Sequence, residues 1–481
     1  MGTITFRYSE AVPLESHRVR IVQKLELLPV EQRLAKLKEA KNNLYLLHNR
    51  DIFLDMLTDS GVNAMSDNQL AATINADDAY AGSETFYILE KKVQSLFGME
   101  HFLPAHQGRA CEKLLTDMLV KPGDLVPMNY HFTTTKAHIT RCGGEVLELI
   151  KPAGLNPVSH DPFKGDIDLD ALKDVLDRER QRIPFVRIEA GTNLIGGQPV
   201  SLDNMRQTAK LCKAAGVPLM MDASLLQDNL HFLKTRDEHC KNLSIKEITK
   251  EVSSLFDIIY FSARKLGFAT GGGIALRDAK HLNRLKELVV RDEGFLTYGG
   301  MSTKEMAAIA IGLDETMEES VISHGPQFIE FFVNELDRLG IPVVTPPGGL
   351  GCHLDASRFV PHIPQSAYPA ASLSAALYIA GGIRGMERGT LSEDRNPDGS
   401  EHFASMELLR LALPRRVFTL SQIKYAIDRI HWLWDNRQLI EGLTFTTEPE
   451  ILRFFVGELA PLSDWQEKLA KAFRRDFADS L

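Results

Sequence analysis

Residues 185–222 read FVRIEAGTNLIGGQPVSLDNMRQTAKLCKAAGVPLMMD, and their pattern indicates the class of fold. Phe185–Glu189 and Pro218–Asp222 are short apolar runs typical of buried strands. Between them, Ser201-Leu-Asp-Asn opens a helix and Gly216 stops it. A strand, a helix and a second strand at this spacing predict a right-handed crossover. They therefore predict a parallel sheet that is covered on both faces.

The remainder of the chain indicates a second domain. Asp257–Phe261 is another short apolar strand, but near residue 320 the alternation of strands and helices changes. Gln327–Leu339 is predicted to be a helix, and Ile341–Val344 is a short apolar stretch that favours a strand. With 481 residues, the chain suits two domains. We predict a large domain over 61–320, a small domain over 321–481, and an N-terminal segment, 1–60, that packs with the small domain.

Two segments near the ends of the chain are predicted to be amphipathic helices. Residues 31–48 repeat apolar side chains at helical spacing. Gly457–Leu481 forms a charged C-terminal extension with the same periodicity. We expect this extension to lie at the surface or in a subunit contact.

Composition excludes several classes of protein. Apolar residues make up 44% and charged residues 25%, as in ordinary globular proteins. A net charge of −9 argues against a nucleic acid or an anionic membrane as partner. The five cysteines include no C-x-x-C pair, which favours a reducing compartment and excludes a zinc ribbon. Without a leader pattern or a long apolar run, the predicted location is cytoplasmic.

Polar residues at strand ends are the first candidates for chemistry, because ligands of open α/β sheets bind there. Asp222 ends one apolar strand, and Lys265 follows another. Pyridoxal phosphate needs such a pair: a lysine that forms a Schiff base with its aldehyde, and an acid that keeps its pyridine nitrogen protonated. Taken singly, Asp222 also fits a helix N-cap and Lys265 a surface loop.

A glycine turn supplies the third element of this candidate site. Gln107-Gly-Arg109 stands directly before a predicted helix that starts at Ala110. Backbone N–H groups and the helix dipole favour a phosphate at such a helix N-terminus. The turn is common by itself, but with Asp222 and Lys265 in chain order it completes a plausible cofactor site.

Several motifs resemble the family of tyrosine phenol-lyase and tryptophan indole-lyase, the beta-eliminating lyases, and the tyrosine phenol-lyases in particular. They include Leu57–Asp67, Ala79–Ser83, Pro104–Arg109, Phe132–Thr135, Phe163–Leu169, Asn193–Ser201, Tyr298–Gly300 and Leu409–Arg416. The matches run in order through almost the whole chain. The resemblance implies an α/β, fold type I pyridoxal-phosphate enzyme, with a mostly parallel seven-stranded sheet and a smaller α+β domain.

The resemblance also implies a role for each matching residue. Lys265 would hold the cofactor and remove the substrate's Cα proton, Asp222 would pair with the ring nitrogen, and Tyr80 would protonate the leaving ring carbon. In the family this tyrosine comes from a neighbouring subunit, which implies a homo-oligomer, a dimer of dimers. The other cofactor-binding positions implied are Gln107, Gly108, Arg109, Phe132, Asn193 and Ser262.

Further matches concern the substrate. Arg410 would bind the substrate carboxylate through a bidentate fork. Arg388, with Thr133, falls where phenol-lyases bind the phenolic hydroxyl, whereas indole-lyases carry an aliphatic residue there. Phe454 and Phe455 would form the apolar wall. A buried arginine is costly without a polar ring substituent, which favours a hydroxylated ring over indole.

Some positions depart from the family. Leu225 replaces an arginine next to the cofactor's ring oxygen, and Leu350 replaces a histidine near the pocket, with His353 close by in another register. In the family's monovalent-cation site, for which the resemblance implies K⁺, Gly61 is retained, while Asp78 and Thr270 replace a glutamate and an asparagine.

The sequence therefore predicts carbon–carbon β-elimination, or the reverse synthesis, on a hydroxylated aromatic amino acid, giving a phenol, pyruvate and ammonia. One alternative is an enzyme of a secondary pathway that uses the same cofactor on a modified tyrosine or another amino acid. Tryptophan indole-lyase activity and a non-catalytic relative are further alternatives. Lys265 speaks against the last of these.

Overall fold

The computed structural model describes residues 4–5 and 11–478. Contacts divide the chain into two compact units. We call Asp59–Pro326 the large unit; the small unit combines the chain up to Thr58 with Gln327–Leu481. Among the described residues, none of the helices is both long enough and apolar enough to pass through a bilayer.

Strands and helices alternate through most of the described chain. The strands are β1 (Ile4–Thr5), β2 (Ala11–Val12), β3 (Leu54–Asp55), β4 (His101–Ala105), β5 (Leu125–Met128), β6 (Glu145–Glu148), β7 (Val186–Glu189), β8 (Leu219–Asp222), β9 (Ile258–Ser262), β10 (Gly272–Leu276), β11 (Gly351–Asp355), β12 (Ile383–Arg384), β13 (Met386–Arg388), β14 (Leu408–Ala412), β15 (Leu443–Thr447) and β16 (Glu458–Pro461).

The helices fall between these strands. They are α1 (Val30–Glu39), α2 (Asp67–Asn75), α3 (Glu84–Phe97), α4 (Gly108–Leu119), α5 (Thr133–Arg141), α6 (Leu169–Glu179), α7 (Leu202–Ala215), α8 (Leu226–Arg236), α9 (Ile245–Ser253), α10 (Leu282–Asp292), α11 (Thr303–Glu315), α12 (Glu319–Ile322), α13 (His324–Arg338), α14 (Ala356–Phe359), α15 (Pro369–Gly381), α16 (Leu420–Asp435), α17 (Arg453–Val456) and α18 (Trp465–Phe477).

A seven-stranded sheet forms the centre of the large unit, in the order β4-β10-β9-β8-β7-β5-β6. Strand β10 runs antiparallel to both of its neighbours, and the other pairs are parallel. The predicted α/β fold with a mostly parallel seven-stranded sheet is therefore confirmed.

Residues 185–222 fold as their sequence predicts. Helix α7 starts after Ser201, whose hydroxyl accepts a hydrogen bond from the backbone N–H of Asn204. It ends at Gly216, which has a φ of +63°. That left-handed conformation is unfavourable for residues with a Cβ, so glycine is the expected helix stop.

Buried side chains cover both faces of this sheet. On β7, Val186 and Ile188 belong to one apolar core, and Leu219 and Met221 of β8 belong to the same core. Because successive side chains of a strand point to opposite faces, Asp222 lies on the other face. Residues of β4, β5, β8, β9 and β10 contribute to a second core there, which α4, α5 and α10 also join.

The small unit is organised around α15, all of whose residues are buried. Helices α1, α16 and α18 contact it. Strands β11, β14 and β13 form an antiparallel sheet in that order. Strand β3 pairs in parallel with β12, so the N-terminal segment is part of this unit.

Three local predictions need correction. The helix predicted over 31–48 ends at Glu39, because Lys41 and Asn42 have positive φ values of 54° and 55°. Ile341–Val344 is not a strand; only an isolated bridge joins Val343 to Leu354. The C-terminal extension begins with strand β16, and its helix starts only at Trp465, whose side chain belongs to the core of the small unit. Residues 479–481 of this extension lie outside the described residues.

Candidate active site

Lys265 lies in the turn that follows β9. Its backbone N–H donates to the carbonyl of Ser262 at 3.1 Å, which folds the chain back directly after the strand. The Lys265 Nζ lies 3.6 Å from Oδ1 of Asp59, a fully buried carboxylate. The same nitrogen is 5.7 Å from the centroid of the Phe132 ring. The structure thus brings together the predicted cofactor lysine and the predicted stacking ring.

The predicted phosphate turn lies against the end of β9. Gln107 is extended at the N-cap of α4, with no hydrogen bond from its side chain to the helix N-terminus. A Cβ added to Gly108 would lie 2.7 Å from the Cβ of Ser262. Only glycine allows this approach. Gln107, Gly108 and Ser262 are therefore close together, and Arg109 is exposed in the same turn.

The Asp222 carboxylate is held by three donors. Its Oδ2 accepts hydrogen bonds from Nη2 of Arg187 at 2.6 Å and from the Tyr260 hydroxyl at 2.9 Å. Its Oδ1 accepts from the backbone N–H of Ser224 at 2.9 Å. The Ser224 hydroxyl in turn accepts from the backbone N–H of Ser262 at 3.0 Å. This network connects Asp222 with Ser262, which lies against the predicted phosphate turn.

Two further buried acids adjoin Asp222. Burial raises the pKa of Glu189 to about 7, although Arg187 acts to lower it. Burial, and next the negative charge of Asp222, also raise the pKa of Glu112. Hydroxyls of α5 donate to Glu112, while Glu189 accepts from the backbone N–H of Asn193 at 3.2 Å. Asn193 is itself buried.

Pyridoxal phosphate fits this set of residues. The turn at Gly108 is a cradle that a Cβ would fill, and it presents a helix N-terminus suited to phosphate. Lys265 supplies an amine, and Asp222 supplies a carboxylate at the carboxyl end of a central strand. All of these groups belong to the large unit.

Other predicted residues of the large unit lie nearer its surface. Tyr80 is 66% exposed, and its ring centroid is 5.3 Å from that of Tyr298. Asp78 is also exposed, and Thr270 is half-buried. Gly61 has a φ of +75°, and its N–H donates to the carbonyl of Arg264 at 2.8 Å. The described residues hold no group of three or more His, Cys, Asp or Glu side chains suited to a metal, and a monovalent-cation site stays a prediction.

Two predicted substrate residues lie on the antiparallel sheet of the small unit. Nη2 of Arg410, on β14, donates to the carbonyl of Leu57 at 2.9 Å. Arg388, on β13, is buried, and its guanidinium carbon lies 5.9 Å from the centroid of the Phe454 ring. Phe454 and Phe455 contact each other with ring centroids 4.1 Å apart. The arginines and the aromatic wall are thus within one unit, whereas Thr133 belongs to the large unit.

Two other small-unit residues lie beside these groups: Tyr45 beside Phe455 and His353 beside Arg410. The sequence had singled out only His353. Tyr45 packs edge-on against Phe455 with ring centroids 4.9 Å apart. His353 pairs with Arg410 across β11 and β14. Burial, and then the charge of Arg410, lower the pKa of His353 to about 3, so its imidazole is neutral at physiological pH. Leu350, the other departure in this region, is buried with a φ of +70°.

The sequence did not single out several residues that surround Asp222 and Lys265. Arg187 and Glu189 interrupt an apolar strand, and charges in a strand that is buried on both faces are an anomaly that could have singled them out. Tyr260 and Asp59 carry no such signal. Leu225, which replaces the family's arginine, is buried. A Cβ added to Gly191 would lie 2.9 Å from the Cβ of Leu225.

The backbone is similar to those of fold type I enzymes. The serine palmitoyltransferase of Sphingomonas wittichii matches with a TM-score of 0.55 and 14% identity, over 80% of this chain and 88% of that chain. At this identity the likeness concerns the fold. The fold and the site together define a fold type I pyridoxal-phosphate enzyme.

Sequence comparison gives the family. The chain is 38% identical over 452 residues to a tyrosine phenol-lyase of Symbiobacterium sp. strain SC-1, covering 93% of this chain and 99% of the relative. It is 41% identical over 445 residues to a tryptophanase of Hyphomonas neptunium, covering 92% and 98%. The family model described as beta-eliminating lyase matches residues 55–428. The chain belongs to the beta-eliminating lyase family and is a pyridoxal-phosphate-dependent carbon–carbon lyase, so the predicted family and cofactor are confirmed.

Proposed function

We propose that the chain catalyses β-elimination on a hydroxylated aromatic amino acid, in the manner of tyrosine phenol-lyase, consuming one water and releasing a phenol, pyruvate and ammonia. The same site could run the reaction towards synthesis. The observation that carries this proposal is the position of Arg388, 7% exposed and beside the Phe454 ring. A ring hydroxyl offers an oxygen acceptor to this cation, whereas an indole N–H is only a donor.

When it is bound, pyridoxal phosphate supplies an electron sink that stabilises negative charge at the substrate's Cα. We assign Lys265 to its aldehyde and Asp222 to its ring nitrogen, which the carboxylate keeps protonated. The helix N-terminus at Gly108 suits its phosphate. The full proposed set is Gln107, Gly108, Arg109, Phe132, Asn193, Asp222, Ser262 and Lys265.

The substrate side of the proposal assigns one task to each group. Arg410 binds the carboxylate, and Arg388, together with Thr133, binds the ring hydroxyl. Nζ of Lys265 takes the Cα proton. The bond between the side-chain methylene and the ring then breaks, and the Tyr80 hydroxyl delivers a proton to the leaving ring carbon. Phe454 and Phe455 exclude water from the ring.

We also propose that the enzyme is a cytoplasmic homo-oligomer in which Tyr80 serves the site of a neighbouring subunit. Its 66% exposure in the large unit supports this arrangement, because a proton donor works best where water is excluded. A monovalent cation near Gly61, Asp78 and Thr270 belongs to the same proposal, since backbone, carboxylate and hydroxyl oxygens suit such an ion.

Arg388→Ile tests the choice of substrate. Loss of a charged hydrogen bond in a desolvated pocket is worth about 2–4 kcal/mol, so kcat/KM for L-tyrosine should fall roughly 30- to 1,000-fold. S-alkyl cysteines and β-chloroalanine, which have no ring, should be eliminated at near the parent rate. The measurement is the release of pyruvate from both kinds of substrate.

Equal losses for ringless and hydroxylated substrates would show that Arg388 is structural. The proposed substrate would then be an unspecified amino acid. Arg453→Ile is a matched control, because Arg453 is a buried small-unit arginine with ion pairs to Glu401 and Glu448. Its loss should lower stability without separating the two kinds of substrate.

A second candidate keeps the cofactor and the reaction type but uses a modified tyrosine or another amino acid of a secondary pathway. Leu225 favours it, because an apolar side chain stands where the family has an arginine near the ring oxygen of the cofactor. A spectral screen of ring-substituted tyrosines separates the two candidates. Faster turnover of a substituted ring than of L-tyrosine would favour the second.

A further inference from the structure

The acid proposed to face the cofactor's ring nitrogen is part of a row of polar groups across three strands. Glu189 of β7 is paired in register with Asp222 of β8, and Asp222 with Tyr260 of β9. Arg187 lies two residues before Glu189 and therefore on the same face of the sheet. Its Nη1 is 3.6 Å from Oε2 of Glu189, and its Nη2 is 2.6 Å from Oδ2 of Asp222.

Hydrogen bonds leave this carboxylate little freedom. Each carboxylate oxygen has two lone pairs in its plane. Those of Asp222 Oδ2 are occupied by Arg187 and the Tyr260 hydroxyl, and one of those on Oδ1 is occupied by the N–H of Ser224. The one in-plane lone pair that remains is on Oδ1. Tyr260 is itself fixed, because Nε of Arg187 donates to its hydroxyl at 2.9 Å.

The charge of Arg187 is permanent. Its side chain is completely buried, and burial acts to lower the pKa of the guanidinium. Tyr260, Asp222 and Glu189 raise the pKa by more, so that it lies above its ordinary value. A full positive charge therefore lies beside Oδ2 of Asp222, whereas the remaining lone pair is on Oδ1. In a buried site such a charge acts over several ångströms with little screening.

We propose that Arg187 is a positioning residue that acts through Asp222. It fixes Oδ1 as the oxygen available to the cofactor, and it weakens the hold of Asp222 on the ring-nitrogen proton by neutralising part of its charge. Tyr260 assists by occupying the second lone pair of Oδ2. This inference rests on the proposed role of Asp222. It implies a weaker electron sink than an acid without a cationic partner would maintain.

The chemical consequence concerns the ring nitrogen alone. A carboxylate stabilises the protonated nitrogen by its negative charge, and Arg187 subtracts from that charge. Glu189, Glu112, Lys265 and the Cys111 thiol are the other charged or titratable groups around this cluster, and Arg187→Gln leaves all four in place. Removing the guanidinium should therefore raise the pKa of the ring nitrogen by about one to two units, or about 10- to 100-fold in proton affinity.

The test uses the holoenzyme loaded with cofactor labelled with ¹⁵N at the ring nitrogen. Its ¹⁵N chemical shift is followed against pH by NMR in the parent, Arg187→Gln, Arg187→Lys and Tyr260→Phe. We expect the pH midpoint of this resonance to rise in Arg187→Gln, to return towards the parent value in Arg187→Lys, and to rise by a smaller amount in Tyr260→Phe.

Two controls separate the possible failures. Arg277→Gln removes an arginine of the large unit that donates to the carbonyls of Phe256 and Ser253, and it should leave the resonance unchanged. Asp222→Asn should move the resonance towards the unprotonated position. If Asp222→Asn moves it and Arg187→Gln does not, the inference is overturned while the role of Asp222 stands. If neither moves it, the role assigned to Asp222 fails first.

A folding defect does not remove the test. If Arg187→Gln fails to fold, Tyr260→Phe frees a lone pair on the same oxygen and carries the test alone. An unchanged ring-nitrogen pKa in a folded Tyr260→Phe holoenzyme would then overturn the inference.

Discussion

Lys265 has a buried acidic partner and is still partly exposed. Its ammonium is 3.6 Å from the buried Asp59 and 12% of its side chain is exposed, so it is both held in place and accessible. Asp59 lies within a motif that the sequence analysis quoted, yet its contact with Lys265, 206 positions further along the chain, depends on tertiary folding. In the proposed role of Lys265, this contact gives its amine a defined direction towards the aldehyde of the cofactor.

We expect borohydride reduction of the holoenzyme to attach the cofactor to Lys265. Lys265→Ala should take up no label while its circular dichroism stays that of the parent. Peptide mapping after reduction provides the measurement.

Lys164 is an internal control in the same digest. It is a buried lysine whose pKa is lowered to about 8, mainly by burial, so it is the rival amine on chemical grounds. Label on the Lys164 peptide, or persistent label in Lys265→Ala, would refute the assignment of Lys265.

Among the elements, the N-terminus of α4 and the end of β9 contact each other at the candidate cofactor site. The two approach so closely at Gly108 and Ser262 that a methyl group has no room. This contact keeps the start of the helix in place, where its N–H groups can serve as phosphate ligands.

Gly108→Ala should therefore weaken binding of pyridoxal phosphate about tenfold or more, while the fold is retained. The new Cβ would force α4 away from β9, since it would lie 2.7 Å from the Ser262 Cβ. Absorbance titration of the apoenzyme with the cofactor gives the dissociation constant. Gly98→Ala is the control for general destabilisation: its φ of +64° strains an alanine, but an added Cβ meets no neighbour within 4 Å, so stability should fall while the affinity for the cofactor is retained. Equal affinities of parent and Gly108→Ala would contradict this account.

Strand β13 carries a buried acid that should make the stability of the protein depend on pH. It carries Arg388 on one face and Glu387 on the other, because side chains alternate along a strand. Burial, and next the negative charge of Glu407, raise the pKa of Glu387 to about 8. A folded-state pKa above the ordinary value of 4.5 means that the folded protein binds a proton that the unfolded chain has released, so stability falls as the pH rises from 4.5 to 8.

Glu387→Gln should remove this part of the pH dependence. Between pH 5 and pH 8, the melting temperature of the parent should fall by about 4 °C more than that of the variant. Differential scanning calorimetry at both pH values measures the difference. Glu450→Gln, at an exposed acid, is the control and should follow the parent. Parallel pH profiles for parent and Glu387→Gln would show that Glu387 does not couple protonation to folding.

For the whole molecule, the proposed homo-oligomer can be tested at Tyr80. If Tyr80 serves a neighbouring subunit, Tyr80→Phe and Lys265→Ala fall in the same site of a mixed dimer. One site of each hybrid then retains both groups.

Equal mixing of the two inactive variants should therefore restore about a quarter of the parent activity, since half of the dimers are hybrids with one intact site in two. Activity is measured after the variants have been mixed, unfolded and refolded together. A mixture as inactive as its components would place Tyr80 and Lys265 in the same subunit's site, or show that one of them has another role.

Local chemistry was sufficient to predict the strand, helix and strand over 185–222, because helix caps, glycine stops and apolar runs act over a few residues. It also singled out Asp222 and Lys265, since each directly follows or ends an apolar strand. The helix predicted over 31–48 failed at Lys41, because its apolar spacing continues through a left-handed turn that the pattern does not reveal.

Only the tertiary structure decided how Asp222 is held. Arg187 and Tyr260 are 35 and 38 positions away from it in the chain, and they meet its carboxylate only once β7, β8 and β9 have paired in register. The same holds for Asp59 beside Lys265. Sequence patterns report which side chains a strand carries, but the partner of a buried charge depends on which strands become neighbours, and that is decided by the packing of the whole sheet.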